Sequence, residues 1–133
     1  MIEDIVPYEE SVALSQIGFV QSCWHAYHDL TWTSKEDKHK LETVHNLTSY
    51  MDSYAHQYIN PVLAPTFSQA FRWFRNNHCF YNQIHKRYGW EGIIRNSVNG
   101  DIEWNDGTYN SPEEAELACL KKLIEIVKGN NNE

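Results

Sequence analysis

The chain has 133 residues, 41% of them hydrophobic and 14% aromatic, and a formal net charge of −7. That length suits one domain that folds without a metal or a disulfide, and the composition excludes a disordered or fibrous chain. The acidic balance argues against general binding to nucleic acid or membranes, and no apolar run approaches the roughly 18 residues of a membrane span.

The first segment, MIEDIVPYEE, carries three acids in its first nine residues. A secretory signal would need a basic start and an apolar run, so a cytoplasmic location is expected. A helix is predicted over 7–17. Pro7 suits its first position, Glu9 and Glu10 its positive end, and Gly18 its C-terminal stop, while Val12, Ala13 and Ile17 can face a core. Residues 23–32 alternate like a strand, with Trp24, Ala26, His28, Leu30 and Trp32 inward. Residues 33–40 read as an exposed turn. Residues 41–59 lean to helix on the spacing of Leu41, Val44, Leu47 and Met51, although 43–50 also suits a strand. Asn60-Pro61 and Ala64-Pro65 mark a connector.

The clearest helix signal follows at 66–77. Thr66 and Gln69 make a capping box, Phe67, Ala70, Phe71 and Phe74 share one face, and Arg72, Arg75 and Asn76 fall on the other. Three short strands are predicted at 79–88, 90–98 and 101–105. Asn99-Gly100 reads as a two-residue hairpin turn and Asn105-Asp106-Gly107 as the end of the third strand. Ser111, Pro112 and Glu114 then open a last helix with the apolar face Leu117, Leu120, Leu123, Ile124 and Val127. The fold class expected is α+β: an antiparallel sheet of three to five short strands covered on one face by helices. The C-terminal half reads α-β-β-β-α, and the N-terminal helix and strand extend that layer. Residues 1–129 form a single domain on this reading, and 130–133 a disordered tail.

Three runs carry a resemblance: Tyr8-Glu9-Glu10-Ser11 leading to Ile17-Gly18-Phe19, Ala64-Pro65-Thr66-Phe67 through Arg72-Trp73-Phe74-Arg75, and Tyr109-Asn110-Ser111-Pro112-Glu113-Glu114-Ala115. Together they resemble a set of small phage and prophage proteins of gut anaerobes, to which no activity is assigned. The usual layout there is a YEQA-like helix ending in GF, an APT-x-x-QA-x-x-WF helix and a final SYEEA helix. Residues 30–60 lie outside the resemblance. It implies a mobile-element accessory protein in the cytoplasm of a bacterial host cell. Its motifs are helix caps and aromatic cores, so they speak of ancestry rather than chemistry. The order α-β-β-β-α is also that of double-stranded RNA-binding domains, which hold phosphates with lysines at the start of the last helix. Glu113, Glu114 and Glu116 stand there instead and would repel phosphate.

Few constellations point to catalysis or metal binding. Cys23, Cys79 and Cys119 form no CxxC pair and read as small core residues in a reducing compartment. Cys23 and His25 would share a strand face while His28 points away, and the histidines of His39-x-x-Glu42-x-x-His45 are six apart, so neither set suits a metal. No glycine loop, nucleophile elbow or nucleophile–base–orienter set is present, and no cofactor or enzymatic activity is expected. One stretch departs from the background. Residues 72–95 hold five bases against Glu91, a local charge of +4 within an acidic chain. There Arg72, Arg75, Lys86, Arg87 and Arg95 interleave with Trp73, Phe80, Tyr81, Tyr88 and Trp90. Arginine beside aromatic rings can anchor a protein interface or stack on single-stranded nucleic acid. The competing reading is that the rings fill the core and the bases are merely solvated. Arg72, Arg75, Lys86, Arg87 and Trp90 are the candidate binding residues. The partner expected is a protein of unspecified identity, or a second copy of the chain in a homodimer, with a weak nucleic-acid contact as the alternative.

Overall fold

The computed structural model describes residues 4–20, 25–29, 39–43 and 59–131. They form an α+β protein of two compact units, residues 1–66 and 67–133.

The first unit opens with α1 (Tyr8–Gln16). Val6 N–H donates to Pro65 O at 2.9 Å, so the chain stays extended up to Pro7. Pro7 (φ −58°, ψ 160°) is therefore the N-cap and not the first helical residue. Gly18 takes φ +99°, and its N–H and that of Phe19 donate to Ser15 O (3.2 Å) and Leu14 O (3.0 Å). This pair closes the helix as a Schellman motif, and the two residues it brings together, Leu14 and Phe19, are both buried. The core side of α1 is Ser11, Leu14 and Ile17. Val12 and Ala13, expected there, are only half-buried.

A three-stranded sheet follows, with β1 (His25–Asp29) between β2 (His39–Thr43) and β3 (Ile59–Ala64), antiparallel to both. Three sequence expectations are corrected here. His39 and Lys40, placed in a turn, start β2; Leu41–Thr43, read as helix, ends it; and residues 60–64, read as a connector, belong to β3. The register between β1 and β3 shifts between Tyr27 and Asp29, opposite Asn60 and Pro61. A proline has no N–H for a ladder, and an edge strand with a bulge is where a sheet tolerates one. Nor does β1 extend the C-terminal sheet, because its ladder partners are β2 and β3. Ala26 is fully buried, as the alternation required. Tyr27 Oη and Ser11 Oγ both donate to Val6 O, at 2.9 and 3.2 Å, tying strand, helix and N-terminal segment together. Residues 30–38 and 44–58 lie outside the described residues.

The second unit has the order α-β-β-β-α: α2 (Phe67–His78), β4 (Phe80–Lys86), β5 (Trp90–Asn96), β6 (Ile102–Tyr109) and α3 (Pro112–Asn131). The strands form an antiparallel meander, β4-β5-β6, with both helices on one face. Ala70, Phe71 and Phe74 of α2 are buried as the spacing required, joined by Trp73. From α3, Leu120, Leu123, Ile124 and Val127 meet Phe80 and Ile94 in the core. Gly92 is where helix and sheet come closest. A Cβ there would stand 2.7 Å from Cys119 Sγ and 3.2 Å from Trp104, so only a glycine admits α3 at this distance. Gly92 and Ile94 thus face the helices, and Glu91, Ile93 and Arg95 the opposite face.

Several predicted ends move. β6 runs through Asn105-Asp106-Gly107 to Tyr109: Asn105 and Asp106 pair with Ile93 and Gly92, and a register shift opposite Glu91 takes up Gly107 and Thr108. The β5–β6 hairpin forms, but not on a two-residue turn. Asn96 N–H donates to Asp101 O at 2.9 Å and Gly100 N–H to Asn96 O at 2.8 Å, closing a loop over 97–100 in which only Gly100 has positive φ (+76°). The Asn96 and Asn99 side chains accept from Val98 and Asp101 N–H and hold this longer loop. Ser111 caps α3 as expected, with Glu114 N–H donating to its Oγ at 3.2 Å. Glu114 Oε2 in turn accepts from Asn110 N–H, at 3.0 Å. α3 reaches Asn131, so Asn130 and Asn131 of the expected tail are helical.

Candidate functional site

Both arginines of α2 are exposed, three residues apart on one side of the helix. They border an open recess of about 360 Å³ that Phe71 and Ile84 also line. Asn82 of β4 lines it too, and Glu116 of α3 supplies its carboxylate.

The second half of the predicted set lies at the β4–β5 turn. Lys86 and Trp90 are register partners that close the hairpin, and Lys86 Nζ stands 5.8 Å from the indole centroid. A cation over a ring at this distance is held by the ring's quadrupole. Arg87 N–H donates to Gly89 O at 2.9 Å, which leaves Tyr88 at the tip. Tyr88 is 105% exposed. Arg87 and Lys86, with His85, Glu91, Ile93 and Ile102, line a cleft of about 380 Å³ beside this turn. Ile102 is half exposed there, while Ile93 is buried.

Arg95 has a different task. Its Nε donates to Gln83 Oε1 at 3.0 Å and its Nη1 to Gly100 O at 3.1 Å, so it ties β4, β5 and the β5–β6 loop together. Trp73, buried against Phe74 and His78, is core. Of the five candidate residues, Arg72 and Arg75 line one recess, while Lys86, Arg87 and Trp90 gather at the β4–β5 turn. Interleaving in sequence could not separate these places. Tyr88 was one aromatic among five in that pattern; a tyrosine next to the glycine of a tight turn is the signal that sets it apart.

Cys119 is buried, and desolvation pushes its thiol up to about 12 despite a backbone hydrogen bond at Ile93, so no thiolate is available near neutral pH. Cys79, expected in the core, is exposed with φ +60°, because it ends α2 and turns the chain into β4. Asp106 accepts from Tyr109 Oη at 3.0 Å and Thr108 Oγ1 at 3.2 Å; burial and then this bond raise the Tyr109 pKa. Glu113 and Glu114 sit exposed at the start of α3, where a phosphate-gripping helix would carry lysines. Among the described residues no three His, Cys, Asp or Glu side chains converge as metal ligands, and no helix is long and apolar enough to cross a membrane. Cys23 and His45 lie outside the described residues.

Comparison with protein-family models, curated proteins and solved structures finds no match to this chain.

Proposed function

We propose that this is a non-enzymatic binding protein, an accessory factor of the phage type, and that the β4–β5 end of its second unit is the surface that takes a protein partner. The observation that carries this reading is Tyr88, fully exposed at the tip of a hydrogen-bonded turn, with Arg87 beside it and Lys86 packed over Trp90. Tyrosine, tryptophan and arginine are the residues that most often dominate interface energies. A ring held on a hairpin loses little freedom on binding, because its backbone is already fixed. The adjoining cleft offers the half-exposed, apolar Ile102 beside His85, Arg87 and Glu91. A partner that fits has an apolar anchor framed by acidic side chains.

The test is an affinity capture from bacterial lysate with wild type and Tyr88→Ala side by side, followed by titration of the captured protein. Truncating Tyr88 should cost roughly 2 kcal/mol or more of binding with modest salt dependence. Labelled single- and double-stranded DNA and RNA are titrated in parallel at low salt. Micromolar nucleic-acid binding that falls steeply with salt and disappears in the Arg72, Arg75 and Arg87 triple alanine variant would overturn the protein-partner reading. A second copy of the chain as the partner would appear as Tyr88-dependent dimerisation in sedimentation.

A further inference from the structure

We infer that the recess between α2, β4 and α3 is a binding site for a small organic anion, an oxyanion head carried on an apolar body. It is separate from the β4–β5 turn and does not depend on the reading given for that end.

Two guanidiniums, Arg72 and Arg75, stand on one side of α2, both exposed. Among the described residues no hydrogen bond or ion pair engages either of them. Like charges one helical turn apart repel, and an anion between them removes that repulsion. Each guanidinium presents a planar fork of donors that matches a carboxylate or a phosphate in bidentate fashion. The recess holds two positive side chains against the single carboxylate of Glu116, a formal balance of +1. Its volume, about 360 Å³, exceeds what an oxyanion alone would fill and lies in the range of small-molecule sites. Phe71 and Ile84 also line the recess, so the non-polar part of the ligand meets an apolar patch within a largely polar wall. The Asn82 amide can donate a further hydrogen bond to the head.

Carboxylate and phosphate share this chemistry, and the titration separates them. Benzoate, phenyl phosphate, inorganic phosphate and neutral benzamide are added at constant ionic strength to isotopically labelled protein, following the arginine Nε–Hε signals by NMR. Benzoate, phenyl phosphate or both should shift Arg72 and Arg75 together with Phe71 and Ile84, and the shifts should saturate. The stronger of the two identifies the head group. In an R72Q/R75Q variant, both changes being at exposed positions, affinity should fall about tenfold or more, as loss of charge-assisted bonds implies. E116Q should bind more tightly, because the opposing carboxylate is gone. Non-saturating shifts, equal shifts with benzamide, unchanged affinity in R72Q/R75Q, or E116Q binding no better than wild type would each overturn the site. Inorganic phosphate binding as tightly as phenyl phosphate would overturn the apolar part of the assignment.

Discussion

Cys79 sits in the left-handed region at φ +60°, with its side chain exposed. Its carbonyl accepts from Ser97 N–H at 2.8 Å and Ser97 Oγ at 3.1 Å, so the fold fixes this conformation from the neighbouring strand. An L-residue there costs roughly 1–2 kcal/mol, and glycine would escape the cost. Cys79→Gly should therefore raise stability by about 0.5–1 kcal/mol, once glycine's extra freedom in the unfolded chain is subtracted. Urea denaturation shows this as a higher midpoint at unchanged slope; a lower midpoint would mean the side chain makes a stabilising contact. One residue earlier, two effects compete at His78. The C-terminus of α2 favours a positive charge, but the imidazole lies 4.8 Å from the Trp73 ring, and desolvation lowers its pKa. Between that depressed value and the ordinary value of about 6.5, the unfolded chain binds more protons than the folded one. Stability from this group is thus complete above about pH 6.5 and declines as the pH falls through the window below it. In His78→Asn the fall in urea midpoint between about pH 7.5 and pH 5 should be smaller than in wild type. An identical pH profile would exclude the assignment.

Among the elements, α2 is where sequence and structure agree most fully, because its apolar residues repeat at helical spacing and its bases fall on the opposite side. The two phenylalanines on it should nevertheless respond differently. Phe74 is fully buried, whereas Phe71 lines an open recess. Phe74→Ala should cost about 3–5 kcal/mol, and Phe71→Ala should fall at the lower end of that range because water can enter the space left. Thermal melts of the two variants rank them; equal midpoints, or an unchanged Phe71→Ala midpoint, would refute the placement. β6 teaches the opposite lesson. Asn105-Asp106-Gly107 has the composition of a turn, yet Asn105 and Asp106 pair directly with β5 and Gly107 falls at a register shift. Pro61 likewise looks like a strand breaker and lies in a strand, beside a register shift.

At the scale of the whole molecule, the charge asymmetry follows the division of the fold. The nine acids and three lysines of residues 1–66 give −6, and the nine acids and eight bases of residues 67–133 give −1. The second unit is thus nearly neutral, and local patches of either sign on it are not swamped by its own net charge. Dialysis against a chelator should leave the circular dichroism spectrum and melting temperature unchanged, since among the described residues no set of ligands converges. A loss of structure restored by zinc would contradict this.

What the sequence determined by itself is local. Helical periodicity over 67–78, the Ser111–Glu114 cap and the Gly18 stop follow from interactions within a turn or two of chain, so they were legible without the fold. The α+β class and the α-β-β-β-α order followed from the same signals. The tertiary structure alone decided which strands share a sheet. A ladder is a pairing of distant residues, and nothing in 25–29 states that 39–43 and 59–64 are its neighbours. The same holds for the candidate site. The five bases within 72–95 divide into a recess, a turn and a structural tie at Arg95, because alternate residues of a strand point to opposite faces and a helix turns its side chains by about 100° each. Composition fixed how many cations there are; the directions of Cβ atoms on packed elements fixed which of them face one ligand.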